Sequence, residues 1–181
     1  MVHADDAGSF EKGKIDSTAW AIHGQIHKLR PDIKVIMHLH PIYATALSCL
    51  KNPTLLPIEQ NSARYFNRVS YDSNYSGMAD QVAEGQRLAN LLKDNTRLLM
   101  GNHGVLIASH DIGLAFDDMY TFERSSQILI HAYSTGQTLN ILNDDVAEKT
   151  AKDWEKIEDF SIAHFAEMKS ILVAEDPSFL D

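Results

Sequence analysis

Apolar residues recur every three or four positions in some stretches of the chain and form short continuous or alternating runs in others, and the change of period marks out the elements. Trp20, Ile22 and Ile26 run on to Leu29 behind Asp16 and Ser17, either of which can cap a helix, and Pro31-Asp32 stops it. Residues 34–40 read as a strand. Pro41 fits the first turn of a helix over 42–50, which ends in the breaker Asn52-Pro53. A short strand near 55–58, a helical stretch over 63–66 and a strand at 68–71 follow, the last running into Asp72-Ser73-Asn74 and Gly77. The helix predicted over 79–92 contains Gly85, an unfavourable residue in mid-helix.

Residues 97–100 and 105–108 are two short β-type runs separated by Gly101-Asn102-His103-Gly104, a hairpin-like turn with glycine available for positive φ. Asp111 caps a long helix with Ala115, Met119, Phe122, Ser126, Leu129 and Tyr133 on one stripe, and Gly136 supplies the stop. A final helix over 144–173 carries Trp154, Ile157, Phe165, Met168 and Leu172. Residues 1–14 are polar, show neither period and read as loop or edge structure. The alternation of strands and helices predicts an α/β fold, a mixed sheet flanked by helices, whose long C-terminal helix packs on the body or on a neighbouring subunit.

Composition narrows the partners. The 181 residues include 16 basic and 25 acidic ones, a formal charge of −9, and the longest basic cluster, Lys28/Arg30, is too thin to draw a phosphate backbone to such a surface, so nucleic acid is not an expected partner. With 44% apolar residues and charges of mixed sign the chain can bury a sizeable core in one compact domain. No apolar run reaches the roughly 18 residues of a membrane span, and Met1-Val2-His3-Ala4-Asp5-Asp6 lacks a signal peptide's basic-then-apolar layout, so a cytoplasmic protein is expected. Cys49 is the only cysteine; it cannot form an internal disulfide and reads as a buried, inert thiol in an apolar stretch. Asp117/Asp118 and Asp144/Asp145 read as surface residues or partners of helix dipoles.

Nine histidines leave the chain well supplied with metal-directed side chains. His38 and His40 lie two apart on a predicted strand, so both imidazoles leave the same face and can converge on one ion. Such a pair is also compatible with two half-exposed, satisfied side chains, and a third ligand is what turns it into a site. His103 is the candidate, because the glycine-flanked turn can aim it at a neighbouring strand end; a turn histidine bonded to backbone is the plain alternative. Three neutral imidazoles with an open fourth position make a Lewis-acid site able to stabilise an enediolate, rather than a sealed structural one. His23 and His27, four apart on one helix face, lack a third ligand and read as helix surface or packing. His3, His110, His131 and His164 carry no constellation.

The run His38-Leu39-His40-Pro41 with Ala44-Thr45-Ala46-Leu47-Ser48, and then Asn102-His103-Gly104-Val105-Leu106, resembles the class II aldolase/adducin family. Ala19-Trp20-Ala21-Ile22-His23, residues 26–32, the turn 71–77 and the helix entry at Asp111 extend the resemblance over about residues 10–140. It implies a three-layer αβα fold over residues 1–140 with a C-terminal helical extension over 141–181. It also implies a divalent ion, Zn2+ foremost and Mn2+ second, on His38, His40 and His103, and a homo-oligomer, a tetramer, with active sites at subunit interfaces. Ser17 and Thr18 fall where aldolases hold substrate phosphate, and Tyr75 resembles their proton donor, an aromatic at the edge of a packed turn being the alternative.

Two departures accompany the resemblance. Ala19 stands where aldolases carry a catalytic glutamate, and the family's usual N-terminal segment, with its phosphate-gripping loop, has no counterpart in this sequence, which reads either as a fragment or late-start product or as a reduced form whose sheet edge a partner is expected to cover. The resemblance implies an aldolase-like lyase, epimerase or decarboxylase acting on a small hydroxylated or sugar-phosphate-like molecule through an enolate. Because the family also contains the non-catalytic adducins, an interaction module or an inactive shortened homologue is the alternative.

Overall fold

The predicted hairpin is the centre of the sheet. In the computed structural model, which describes residues 16–180, strand β4 (Gly104–Ser109) pairs antiparallel with β1 (Val35–Leu39) on one side and with β3 (Arg97–Met100) on the other. β2 (Ser70–Asp72) then adds in parallel to β3, giving the mixed order β1-β4-β3-β2. The reading of residues 1–14, with His3, lies outside the described residues.

Period-two alternation sends apolar side chains to both faces, and both faces are covered. Leu98, Met100, Leu106 and Ala108 meet Ile22 and Ile26 of helix α1 (Ser17–Leu29) and Leu88, Ala89 and Leu92 of α4 (Val82–Leu92). On the opposite face Leu99, Val105 and Ile107 meet Ala44 and Leu47 of α2 (Ile42–Ser48) and Ala115, Met119, Phe122 and Leu129 of α5 (Ile112–Ser134). Each fully buried Leu or Ile contributes roughly 2 kcal/mol, so this double layer is the main source of stability. The result is a three-layer αβα arrangement with β4 buried along its whole length.

Helix ends follow the capping residues. Asp16 accepts from the amides of Thr18 and Ala19, and Asp111 from those of Gly113 and Leu114. Gly85 has a packing reason: a Cβ there would lie 1.9 Å from the Ala21 carbonyl oxygen, so the backbones of α4 and α1 touch at this point. Gly85→Ala is expected to cost about 3 kcal/mol by forcing the two helices apart; a urea melt measures it, and an unchanged midpoint would show that the crossing can yield.

Several expectations are corrected. Residues 55–58 form no strand; they run as irregular backbone held by Leu55 N–H donating to the Tyr71 hydroxyl. The short helix expected at 63–66 lies earlier, as α3 (Gln60–Ala63), where Glu59 caps it. The final helix is two: α6 (Asp144–Trp154) and α7 (Glu158–Glu175). No proline or glycine marks the break. Tertiary contacts account for it, since Trp154 Nε1 donates to the Gln60 carbonyl and Arg68 pairs with Glu148 and Glu155, holding α6 on α3, while α7 turns to lie along α5 through Phe116 and Phe165. Cys49 is exposed, because α2 ends just before it.

Asp117 and Asp118 are not surface residues but 8% and 4% exposed. Asp117 accepts from Arg64 (2.7 Å), Ser161 (2.6 Å) and the His164 ring (2.8 Å), so His164 does belong to a constellation. Asp118 accepts from Arg97 Nε at 2.6 Å. Burial alone would raise the Asp117 pKa, but hydrogen bonds from Ser161 and Arg64, with the Arg64 charge, outweigh it and hold the carboxylate below its ordinary range.

Candidate metal centre

The antiparallel register Leu39↔Val105 brings the C-terminal end of β1 beside the start of β4, and the turn 101–104 carries His103 to the same edge. Asn102, not a glycine, takes the left-handed conformation there (φ 54°), which asparagine tolerates. The glycines serve close approach instead: a Cβ on Gly101 would lie 2.6 Å from the Asp72 carbonyl oxygen, and one on Gly104 2.5 Å from that of Leu39 and 2.6 Å from the His40 ring. The turn is further held by Asn102 N–H on the Ser48 carbonyl (3.1 Å).

His38, His40 and His103 come together. His38 Nε2 lies 3.3 Å from Nε2 of both His103 and His40, and one ring nitrogen of each falls within 4.8 Å of the others. Ligand nitrogens about 2.0–2.1 Å from a tetrahedral zinc are themselves about 3.3–3.4 Å apart, so the two spacings from His38 fit such an ion. His38 Nδ1 faces the Val105 carbonyl at 3.1 Å, which places the proton on Nδ1 and leaves the Nε2 lone pair toward the cluster. Burial, then the neighbouring His103 and His40, push the His38 pKa down to about 4, against the Val105 hydrogen bond; burial and His40 lower that of His103, against the charge of Asp72. Both effects keep the imidazoles neutral, the state a metal ligand needs.

This carries a pH prediction for the metal-free protein. Between the ordinary imidazole value of 6.5 and about pH 4 the unfolded chain binds a proton at His38 that the folded chain refuses, so stability rises with pH across this window and is lost as pH falls through it. The loss for this one group is about 3 kcal/mol. Thermal midpoints measured from pH 7 to 4 should drop less steeply in His38→Asn than in the native chain.

The cluster opens on a cavity of about 600 Å³ lined by Thr18, Ile22, Leu39, Tyr75, Met78, Ala79 and Asn102 besides the three histidines. Thr18 and Tyr75 thus share the histidines' cavity. Ser17, half-buried in the first turn of α1, does not line it, and Ala19 is exposed. The Thr18 hydroxyl donates to the Asp16 carboxylate, which leaves its lone pairs free to accept. The Tyr75 ring is 6.2 Å from that of His103 and 53% exposed. His23 and His27 form no site; the His27 ring bonds the Ile33 carbonyl (3.0 Å), and burial lowers the His23 pKa.

Sequence reasoning missed Arg87. Its guanidinium grips the buried Asp72 carboxylate at 3.0 and 2.6 Å, Asp72 accepts from the amide of Asn74 beside Tyr75, and the Asp72 carbonyl accepts from Gly101 N–H beside the His103 turn. The Asp72-Ser73-Asn74 turn was legible; its cationic partner, from another element, left no local signal.

The profile of the Class II Aldolase and Adducin N-terminal domain matches residues 1–130. The chain belongs to the class II aldolase/adducin family. Within it, an adducin-related protein of Schizosaccharomyces pombe is 34% identical over 140 residues, covering 75% of this chain and 42% of that one. The decarboxylase NovR of Streptomyces niveus is 28% identical over 115 residues, 63% of this chain and 42% of NovR. This chain thus spans less than half the length of either relative. The crystal structure of an aldolase II superfamily protein from Pseudomonas syringae superposes with a TM-score of 0.84 at 28% identity, over 92% of this chain and 67% of that one. No helix among its described residues is long and apolar enough to cross a membrane.

Proposed function

We propose that the chain is a divalent-metal-dependent lyase, epimerase or decarboxylase of the aldolase type, acting on a small hydroxylated or sugar-phosphate-like substrate through an enolate. The observation that supports it is the convergence of three Nε2 atoms at the floor of an open cavity. An ion held by His38, His40 and His103, zinc or manganese, would supply the positive charge that stabilises an enolate oxygen. Thr18, which lines the cavity, offers a hydroxyl contact to an anionic or hydroxylated substrate end, whereas Ser17 lies outside the cavity lining. Tyr75, at the cavity mouth, gives and takes the proton at the reacting carbon, a task the methyl group of Ala19 cannot perform. Exposed Phe160, Leu172, Phe179 and Leu180 support a homo-oligomer, which the family resemblance makes a tetramer, and a cytoplasmic setting accompanies that reading.

The second reading is an adducin-like interaction module without turnover, favoured by Ala19 and by the similarity to the adducin-related yeast protein. Hydrogen–deuterium exchange into dihydroxyacetone phosphate in D2O, followed by NMR with zinc-loaded protein, separates the two. Exchange by the native chain is the expected result, and Ala19→Glu is expected to raise it about 100-fold. Exchange by Ala19→Glu alone would mean that the native reaction is not aldol chemistry of the usual kind. A zinc-bound chain inactive in both forms would favour the interaction module.

A further inference from the structure

Pro41 opens α2 without a side chain that can accept from the helix's free amides. Those amides are met from α5: Glu123 accepts from Tyr43 N–H at 2.9 Å through Oε1 and from Ala44 N–H at 2.7 Å through Oε2. His40 lies between this anchor and Leu39, the last paired residue of β1. It is exposed and outside the ladder, so the direction of its ring depends on where Pro41 and the first turn of α2 are held. The proline ring, with φ at −68°, makes that connection stiff.

We infer that Glu123 is a positioning residue for the metal centre: by gripping the first turn of α2 with both carboxylate oxygens it holds His40 Nε2 at ligand spacing from His38. The inference rests on the metal-site reading above. His38 is held by the β1–β4 ladder and by Val105, and His103 by its turn, so His40 is the ligand most exposed to the loss of this anchor. A carboxylate accepting from two amides forms charge-assisted bonds that water replaces poorly.

The test is a Co2+ titration of the metal-free full chain, with affinity read by chelator competition, ligand set by visible absorption, and thermal midpoint measured in parallel. Native protein, Glu123→Gln, Glu123→Ala and Arg68→Ala are compared, the last cutting the pairs to Glu148 and Glu155 without touching the cavity. Glu123→Gln, which keeps one acceptor oxygen and the side-chain shape, is expected to weaken cobalt binding about 10-fold, and Glu123→Ala up to about 100-fold with an altered spectrum. Arg68→Ala should lower the midpoint and leave affinity unchanged. Glu123 variants that bind cobalt like the native chain, or that lose affinity only as Arg68→Ala does, overturn the inference. A native chain that takes up no cobalt overturns the metal-site reading and this inference with it, a result distinct from native-like binding by the variants. Should Glu123→Ala not fold, Glu123→Gln decides.

Discussion

Native protein purified without added metal is expected to carry close to one divalent ion per chain, and His38→Ala almost none. His38 is the central member of the cluster, with the Nε2 atoms of both other histidines 3.3 Å from its own. Removing it leaves His40 and His103 as two ligands without their common neighbour and deletes the ring whose tautomer Val105 sets. Loss of a groups-away supporting residue already costs about 10–100-fold in metal affinity, so loss of a direct ligand should exceed 100-fold. Elemental mass spectrometry reads the result. Full metal content in His38→Ala would place the ion elsewhere, and a native chain that binds neither zinc nor manganese when supplied would end the catalytic reading and turn the search to partners.

The second large effect lies on the opposite side of the core. Asp117→Ala is expected to destabilise the fold by about 3–5 kcal/mol, the cost of leaving a buried partner charge uncompensated. Arg64 is only 11% exposed along its side chain and, of its two carboxylate partners, would keep Asp118 at 3.4 Å, while Ser161 and His164 would lose their acceptor. Because Ser161 and His164 belong to α7, the same change should loosen that helix first: protease cleavage within residues 158–175 should accelerate before global unfolding. Asp117→Asn, which keeps the shape and an acceptor oxygen, should cost less than Asp117→Ala. A urea melt that finds under about 1 kcal/mol for Asp117→Ala would show that water or Asp118 compensates Arg64, and that the network is not what holds α7.

The two sites differ in how far local sequence foretold them. His38 and His40 share a face because a strand repeats every two residues, a property of any extended backbone, and that is why the pair could be read before any fold was known. The glycine-flanked turn made His103 the candidate third ligand, the family resemblance pointed to the same residue, and the register Leu39↔Val105 supplies the physical means. Asp144 and Asp145 are exposed in the first turn of α6, as their helix position suggests, whereas Asp117 and Asp118 are buried and paired with Arg64 and Arg97, which arrive from other elements. Glu123 and Arg87 escaped notice for the same reason: each acts on a loop or helix start far from it in sequence.

Most elements, the caps at Asp16 and Asp111, the hairpin at the centre of the sheet and the paired histidines were determined by sequence alone, since each depends on period, capping or turn chemistry within a few residues. Tertiary structure decided the break between α6 and α7, the left-handed Asn102 in place of a glycine, the exposure of Cys49, the burial of Asp117 and Asp118, and the meeting of Thr18 and Tyr75 with the histidines over one cavity. The physical reason is common to all of these. Local preferences are worth a few tenths to about 1 kcal/mol per residue, and at these positions a buried ion pair, a close backbone approach or a packed helix face from distant chain outweighs them.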